Sequence, residues 1–355
     1  MKDRIYVCHT FYHVYVACLK EFKFNDGKEA TLILSKMSNN FGKMVDIAKK
    51  SPVFAEVFEY DEKKDTFFPE LTSLRTDSGN ILVNMIKRII FCRKFGKLQE
   101  EYVPVDFSQY KDIYVFCDSD PIGYYLNYKK IRYHALEDGL DCIRYYDTAR
   151  YDNRGHFEIK AWMASKGLIH IQNGYGKYCI DMEVNNISVL DYPCKKYVEL
   201  PRKQLTERLT SDETEKLLAL FVDDVSELKE KGSSDKKALL VLSEPLCDLD
   251  TRVQIFKDII NTYSTIDGEE AVVFIKQHPR DLLDYTKFFP EAVLLDGSFP
   301  MEMLNFIEGI RFNRVVSVYT VTDSIEFADE KIYLGDDFMD KYEEPSVHRQ
   351  NEAIK

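Results

Sequence analysis

Short apolar runs typical of strands alternate with helical segments along most of this 355-residue chain, and this alternation restricts its fold more than any other feature. Near the start, the strand-like runs Arg4–Thr10 and Ala30–Ser35 flank Phe11–Phe22, whose apolar residues have helical spacing. A second strand–helix series begins at Ala238 and continues to Leu334. Such alternation predicts parallel sheets covered by helices on both faces.

Two polar segments divide the chain. Asp141–Gly155 is polar and irregular, and Gly232–Asp235 is the clearest loop marker before the second series. We therefore predict an N-terminal domain over 1–155, an irregular or helical connecting region over 156–235, and a C-terminal domain over 236–355. The expected fold class is α/β, with two Rossmann-like domains facing across a cleft and ligands beyond the carboxyl ends of the strands.

Composition excludes several classes of protein. A net charge of −12 argues against broad nucleic-acid binding, which needs a basic surface. The eight cysteines are scattered without a CxxC pair, which predicts reduced thiols and no structural zinc site. The apolar runs of Leu71–Glu101, a long stretch predicted to be helical and partly basic, are too short to span a bilayer. With no secretory signal at the start, we expect a cytoplasmic protein.

The strongest motif lies in Phe274–Asp281, where an apolar strand runs directly into three potential cations, Lys276, His278 and Arg280. Such a cluster at a strand end suits a phosphate, and the histidine can donate a hydrogen bond or a proton to a departing one. Pro279 fixes the backbone and restricts His278 to an extended conformation. The alternative is a surface loop with a solvated histidine.

A second strand, in Tyr133–Gly139, ends in the paired carboxylates Glu137 and Asp138. A carboxylate at a strand end can serve as a general base toward an acceptor hydroxyl. Neighbouring side chains of an extended chain point to opposite sides, so at most one of the two faces a site. Taken alone, Glu-Asp-Gly is also consistent with an ordinary turn.

Two further motifs follow in the second series. Pro300 stands where a helix can begin, and Glu302 in its first turn is a candidate to bind ribose hydroxyls. Strand-like Val315–Tyr319 then leads into Thr320 and Thr322, where hydroxyls and backbone N–H groups can form an anion site. An ordinary helix start and an ordinary N-cap are the simpler readings of these two segments.

The four motifs, in this order, resemble those of bacterial sialyltransferases of the GT-B type, and most closely glycosyltransferase family 52, the lipooligosaccharide sialyltransferases. These families share an acidic-acidic-Gly motif, a Lys-x-His-Pro motif, a Pro-x-Glu helix start and a Ser/Thr pair after a late strand. The run Cys8–Val14 also looks like the family's first strand–loop–helix, usually Thr-Pro-x-Gln. Here Thr10 is followed by Phe11, and His13 stands in place of the glutamine.

The resemblance implies an inverting, metal-independent glycosyltransferase without a cofactor, acting between a nucleotide-sugar donor and a glycan or glycolipid acceptor. The implied donor is CMP-sialic acid and the implied acceptor a bacterial surface glycan, lipooligosaccharide or capsule. Asp138 is implied as the base and His278 as the group that acts on the leaving phosphate. The remaining implied residues are Lys276, Pro279, Glu302, Ser317, Thr320 and Thr322 at the nucleotide, with Thr10 and His13 on the acceptor or sugar side.

Two departures from the family pattern leave alternatives open. The hydroxyl pair is Thr320 and Thr322 with Ser317 nearby, not two adjacent serines, so a UDP- or other nucleotide-hexose donor stays possible. The usual Thr-Gln-Pro after the first strand of the second domain is Ser243–Pro245 here.

Several carboxylates remain rivals to Asp138 as the base, namely Glu137, Asp248 and Asp250. By letters, Asp118–Asp120 and Asp248–Asp250 match a metal-binding Asp-x-Asp pattern, although we expect no metal. From another class, a non-catalytic protein that binds sugar nucleotides or glycans is the alternative. A homodimer and a peripheral contact with the inner face of the bacterial membrane also stay open.

Overall fold

The computed structural model describes residues 1–38, 40–116, 118, 121–139, 143, 155–190, 194–232 and 236–348. The chain divides into two compact units, Met1–Glu213 and Thr214–Lys355. Each unit has its own parallel sheet.

The sheet of the first unit has seven strands in the order β3-β2-β1-β4-β5-β6-β7, and its strands all pair in parallel. The central strands are apolar on both faces, as expected for a sheet covered on both sides, and all six residues of β2 are buried. The strands are β1 (Lys2–Cys8), β2 (Ala30–Ser35), β3 (Glu56–Tyr60), β4 (Tyr110–Phe116), β5 (Tyr133–Leu136), β6 (Cys179–Val184) and β7 (Tyr197–Glu199).

Helices connect these strands, as the alternating pattern predicts. The predicted stretch Leu71–Glu101 contains two α-helices, because the chain turns between them at Gly79, whose φ is 73°. The helices of this unit are α1 (Phe11–Phe24), α2 (Met44–Lys50), α3 (Thr72–Arg75), α4 (Ile81–Leu98), α5 (Pro121–Lys129), α6 (Phe157–Ser165) and α7 (Arg202–Thr206). Helix α8 (Ser211–Phe221) begins in this unit and continues into the second.

The region predicted to be an irregular or helical connector over 156–235 is different in the structure. Strands β6 and β7 lie within it and extend the first sheet beyond β5. Their sequences do not show a clear strand pattern, since β6 mixes polar and apolar residues and β7 is a three-residue edge strand with no buried residue. Short polar edge strands carry little of the hydrophobic periodicity on which such predictions depend.

The sheet of the second unit has five parallel strands in the order β12-β11-β8-β13-β14. The strands are β8 (Ala238–Leu242), β11 (Val272–Lys276), β12 (Val293–Leu295), β13 (Phe312–Ser317) and β14 (Ala328–Tyr333), with a small hairpin of β9 (Thr265–Ile266) and β10 (Glu269–Glu270). The helices are α9 (Val225–Gly232), α10 (Leu249–Tyr263), α11 (Tyr285–Phe288), α12 (Gly335–Met339) and α13 (Pro345–His348).

In both sheets the strand order reverses near the centre, between β1 and β4 in the first and between β8 and β13 in the second. Ligands in such folds bind beyond the carboxyl ends of the strands at this reversal. The predicted α/β class with parallel sheets is confirmed. Within the described ranges, no helix is both long and apolar enough to cross a membrane, and no disulfide joins the six cysteines described there.

Candidate active site

In the first unit, the candidate site lies where β1 and β5 end. Thr10, just after β1, is the N-cap of α1 and accepts a hydrogen bond from the backbone N–H of His13 at 3.2 Å. This cap places His13 in the first turn of α1, where Nε2 of its ring contacts Oδ1 of Asp138, two residues beyond β5. The structure therefore brings Asp138 to Thr10 and His13, although Asp138 lies 125 residues after His13 in the sequence.

The imidazole of His13 is held on three sides. Its Nδ1 accepts the backbone N–H of His9 at 3.0 Å. Its face stacks on Phe116, the last residue of β4, with ring centroids 3.8 Å apart and planes within 2°. Because Nδ1 acts as an acceptor, the neutral ring carries its proton on Nε2 and donates it to Asp138.

His9 is itself tied to a buried carboxylate. Its Nε2 lies 2.7 Å from Oε2 of Glu62, which also accepts the Ser35 hydroxyl at 2.7 Å. The other oxygen of Glu62 accepts the backbone N–H of Ile122, in the first turn of α5, at 2.6 Å. Three separate segments of the unit thus converge on Glu62, which fixes the loop that carries His9.

The two adjacent carboxylates after β5 have different surroundings. Glu137 is buried, and its Oε2 accepts the backbone N–H of Asn185 at 2.6 Å. Burial raises the pKa of Glu137, partly offset by that hydrogen bond and by Arg202. The Asp138 side chain is 34% exposed, so it can meet a substrate whereas Glu137 is enclosed in the fold.

In the second unit, β11 ends at Lys276, whose side chain is buried with Nζ 4.3 Å from the centroid of the Phe299 ring. Burial lowers the pKa of the Lys276 ammonium to about 7, although the charges of Asp296 and Glu302 oppose the shift. Desolvation therefore outweighs the attraction of the two carboxylates. A buried lysine whose pKa shifts readily, and whose ammonium makes few hydrogen bonds, is well suited to bind an added anion.

His278 follows two residues later in a fixed orientation. Its ring Nδ1 accepts the backbone N–H of Arg280 at 3.1 Å, and the backbone N–H of His278 donates to the hydroxyl of Ser243 at 3.0 Å. Burial, with the nearby charge of Arg280, lowers the pKa of His278 to about 4. The ring is therefore neutral at pH 7 with its proton on Nε2, and no group among the described residues accepts that proton.

The chain approaches this loop closely from β12. A Cβ added at Gly297 would lie 3.0 Å from the carbonyl oxygen of Gln277 and 3.4 Å from Cα of Pro279. Only a residue without a side chain fits comfortably there. Gly297 thus lets the segment that leads to Glu302 lie against the loop of His278 and Pro279.

Glu302 lies in a 3₁₀ helix over Met301–Phe306, not in the predicted α-helix, directly after Pro300. Burial raises the pKa of Glu302, and its Oε1 accepts the hydroxyl of Ser324 at 3.3 Å. The charge of Lys276 acts on it and favours the carboxylate. Lys276 and Glu302 therefore influence each other electrostatically.

The hydroxyl segment after β13 differs from the prediction. The backbone N–H groups of Tyr319 and Thr320 donate to the carboxylate of Glu244, at 3.0 and 2.7 Å, and the Ser317 hydroxyl donates to the carbonyl of Thr320 at 2.7 Å. These N–H groups were expected to meet a phosphate, but a carboxylate of the chain itself occupies them. Thr322 is buried, and its carbonyl accepts the N–H of Ile325 at 3.1 Å.

Comparison with known proteins identifies the family. The model of glycosyltransferase family 52 matches residues 71–333, most of the chain. The chain belongs to glycosyltransferase family 52. A protein of Haemophilus influenzae without a described function is 25% identical over 219 residues, a match that covers 58% of this chain and 62% of that protein.

Solved structures agree on the fold of this family 52 glycosyltransferase. An α/β-galactoside α-2,3-sialyltransferase from Photobacterium phosphoreum superposes with a TM-score of 0.55 at 11% identity, over 94% of this chain and 90% of that one. A Photobacterium 2,6-sialyltransferase, in complex with CMP and lactose, gives 0.58 at 10% identity, over 94% and 71%. The predicted GT-B type of fold is confirmed.

Of the two rival carboxylates in the second unit, that of Asp248 has a structural role. Asp248 is the N-cap of α10 and accepts the backbone N–H groups of Asp250 and Thr251, both at 3.0 Å. These hydrogen bonds, that of Thr251 foremost, lower the pKa of Asp248. Asp250 is exposed in the first turn of the same helix.

No metal centre is assembled by the residues in the described ranges, where no three His, Cys, Asp or Glu side chains could hold an ion together. Of the predicted Asp-x-Asp pairs, Asp248–Asp250 forms the start of α10, and Asp120 lies outside the described residues. Metal-independent activity stays a prediction.

Sequence reasoning missed four residues that shape these sites. His9 and Glu62 hold the loop of His13, Ser243 holds the loop of His278, and Phe299 covers Lys276. One signal was available for the first of them, because His9 and His13 stand four residues apart at the end of β1. Ser243 stands in the segment that replaces the family's Thr-Gln-Pro, which was a second signal. Glu62 and Phe299 become visible only when the strand order is known.

Proposed function

We propose that this glycosyltransferase moves sialic acid from CMP-sialic acid to a hydroxyl of a bacterial surface glycan, lipooligosaccharide or capsule, with inversion. Family membership and the sialyltransferase fold support it, and one observation carries it. Lys276 and His278 form a pair at the end of β11 that can meet a phosphate, with the Nε2 proton of His278 held ready by the backbone of Arg280.

In the proposed reaction the carboxylate of Asp138 takes the proton of the acceptor hydroxyl as its oxygen attacks the anomeric carbon. A new C–O bond forms, and the bond from that carbon to the phosphate oxygen of CMP breaks with both electrons going to the phosphate. His278 donates its Nε2–H to that oxygen, and protonated Lys276 offsets its charge. Glu302 is assigned to the ribose, and the hydroxyls of Thr320 and Thr322 remain candidates at the phosphate.

The donor is tested by calorimetry with CMP, CDP, UDP and GDP, followed by transfer assays with CMP-sialic acid and with UDP-hexoses. We expect CMP to bind and CMP-sialic acid to be used. Binding of UDP or GDP without CMP would overturn the sialyl donor and leave the family assignment in place. Nucleotide binding without any hydrolysis or transfer of a donor would favour a non-catalytic binder.

The second candidate is a UDP- or other nucleotide-hexose donor, because the hydroxyl pair of the sialyltransferase pattern is replaced here by Thr320 and Thr322, which are not adjacent. Glu244 already occupies the backbone N–H groups of Tyr319 and Thr320. A second anion at the same groups would require the carboxylate to leave or to be protonated. The nucleotide panel above separates the two donors directly.

We also propose a peripheral contact with the inner face of the bacterial membrane, through α4. All five charged residues of α4 are basic, in a chain whose net charge is −12. Its outward face carries Leu82, Ile86 and Ile90, which are 66%, 58% and 45% exposed, and then the basic Arg93 and Lys97 at helical spacing. Exposed apolar groups beside basic ones are typical of helices that lie on anionic membranes.

Helix α6 shares a hydrophobic core cluster with α4, since Met163 of α6 and Phe91 and Phe95 of α4 belong to it. The outer side of α6 exposes Trp162, the single tryptophan of the chain. Its fluorescence should shift to the blue when anionic phosphatidylglycerol vesicles are added, and not with neutral phosphatidylcholine vesicles. The double variant Leu82→Ser/Ile86→Ser should lose the shift. Light scattering that shows a dimer, with no vesicle binding, would indicate that a second copy covers this face.

A further inference from the structure

We propose that His13 is a positioning residue that holds Asp138 in its reactive orientation as a neutral Nε2–H donor, and does not itself contact the acceptor. This proposal deepens the proposed function, because it rests on Asp138 as the base. It concerns a side chain that the family pattern would place on the acceptor side.

Burial separates His13 from a substrate. The residue is 2% exposed, and each of its ring nitrogens already has a neighbour in the fold, the backbone of His9 on one side and Asp138 on the other. Its flat face is covered by Phe116 at 3.8 Å. The surface that could meet a sugar therefore belongs to Asp138, which is 34% exposed.

The proton on Nε2 is fixed by the fold and not by the substrate. The backbone N–H of His9 points at Nδ1, so a proton on Nδ1 would place two donors against each other in a buried site. The loop that carries this N–H is anchored in turn by the contact of the His9 ring with Glu62. The ring of His13 therefore has one proton to give, and it gives it to Oδ1 of Asp138.

Orientation of a carboxylate matters because a base must lie within hydrogen-bond reach of the proton that it removes. An unrestrained Asp138 could rotate about its side-chain bonds, since it lies two residues beyond β5 and precedes Gly139, whose φ is 130°. With Oδ1 bound to His13, rotation is suppressed. A neutral donor also leaves the charge of the carboxylate uncompensated, which keeps it more basic than a cation would.

The test compares His13→Phe with His13→Gln. Phenylalanine keeps the ring against Phe116 and removes both nitrogens, whereas the glutamine amide can both accept from His9 and donate to Asp138. We expect kcat for transfer to fall by about 10²-fold in His13→Phe, with the KM for donor changed only a few-fold. His13→Gln should recover most of the loss.

A double-mutant cycle shows whether the effect passes through Asp138. In the Asp138→Asn background, His13→Phe should cause no further loss of transfer. Full activity of His13→Phe, an added loss in that background, or no rescue by glutamine in a folded variant would each overturn the proposal. If Asp138→Asn itself transfers normally while nucleotide still binds, the base assignment is wrong and the proposal falls with it.

A measurement on the wild-type protein covers the case in which His13→Phe does not fold. Nitrogen-15 NMR of labelled histidine should show His13 as the neutral Nε2–H tautomer at pH 7, assigned by its disappearance in His13→Gln. An Nδ1–H tautomer or an imidazolium would overturn the proposal. Failure of the proposed function is recognised separately, as a wild-type enzyme that neither binds nucleotides nor transfers sugar.

Discussion

Two histidines, one in each unit, are oriented by the same kind of hydrogen bond but differ in what lies next to Nε2. In both, a backbone N–H meets Nδ1, from His9 for His13 and from Arg280 for His278. Both rings are therefore neutral donors through Nε2. The Nε2 of His13 meets a carboxylate of the chain, whereas that of His278 has no acceptor among the groups that the structure describes.

The difference shows how one kind of side chain can serve two roles. Where the acceptor is a carboxylate of the fold, the imidazole orients a base. Where the acceptor must come from outside, the same imidazole can act on a substrate, and a phosphate oxygen fits a neutral N–H donor beside the cation of Lys276. The proposed function therefore assigns proton removal to the first unit and leaving-group assistance to the second.

The largest effect is expected for Asp138→Asn, which would break the first half of the comparison. The amide keeps the shape of the side chain and removes its basicity, so kcat for transfer should fall by about 10³–10⁴, the upper part of the range for a general base. Nucleotide affinity, measured by calorimetry, should stay nearly unchanged. Glu137→Gln is the control and should retain more activity, because Glu137 is enclosed and bonded to the backbone of Asn185.

The next largest loss of kcat is expected for His278→Ala, which tests the proposed role of the histidine in the second unit. Removal of the Nε2–H donor should lower kcat by about 10²–10³ with little change in KM, because the bond strengthens as charge develops on the leaving phosphate. His278→Gln, which keeps a donor, should be less impaired. A rise in KM with kcat unchanged would make His278 a binding residue and reduce the difference between the units.

The third prediction concerns Lys276, beside His278 in the second unit, and the pH dependence of CMP binding. Its pKa of about 7 in the protein without ligand lies below the ordinary 10.5, so the ammonium is lost as pH rises through 7. A bound phosphate favours the protonated form, so CMP binding should take up protons and weaken between pH 7 and pH 8.5. Calorimetry in buffers of different ionisation enthalpy measures this uptake.

The matched variant is Lys276→Met, which fills the same buried space without a charge. It should bind CMP about 10-fold more weakly at pH 7, the effect of roughly 1.4 kcal/mol, and should lose most of the proton uptake. Equal uptake in both proteins would mean that another group titrates on binding, with His278 the next to test.

The sequence predicted the sites well where the functional residues are neighbours along the chain. The Lys276–Pro279 run at the end of an apolar strand predicted a cationic site at β11, and the adjacency of Glu137 and Asp138 predicted that at most one of them faces a site. The contact between His13 and Asp138 spans 125 residues, and that between Glu244 and Thr320 spans 76. Contacts of this kind depend on which strands become neighbours in the sheet, which local periodicity does not encode.

The smallest effect is expected for Asp248, whose substitution asks whether the base has been placed in the correct unit. Its carboxylate caps α10 through the N–H groups of Asp250 and Thr251 and the Thr251 hydroxyl. Asp248→Asn should keep both the cap and the activity, since asparagine caps helices about as well as aspartate. Asp248→Ala should lower the Tm by a few degrees and leave kcat close to that of the wild type, because the cap is lost but no reacting group is. Asp250→Asn should change neither quantity.

If Asp248→Asn or Asp250→Asn abolishes transfer at unchanged Tm while Asp138→Asn remains active, proton removal belongs to the second unit. The histidine pair would then mark one structural site and one catalytic site, since Asp138 and its partner His13 would have no reacting proton to handle.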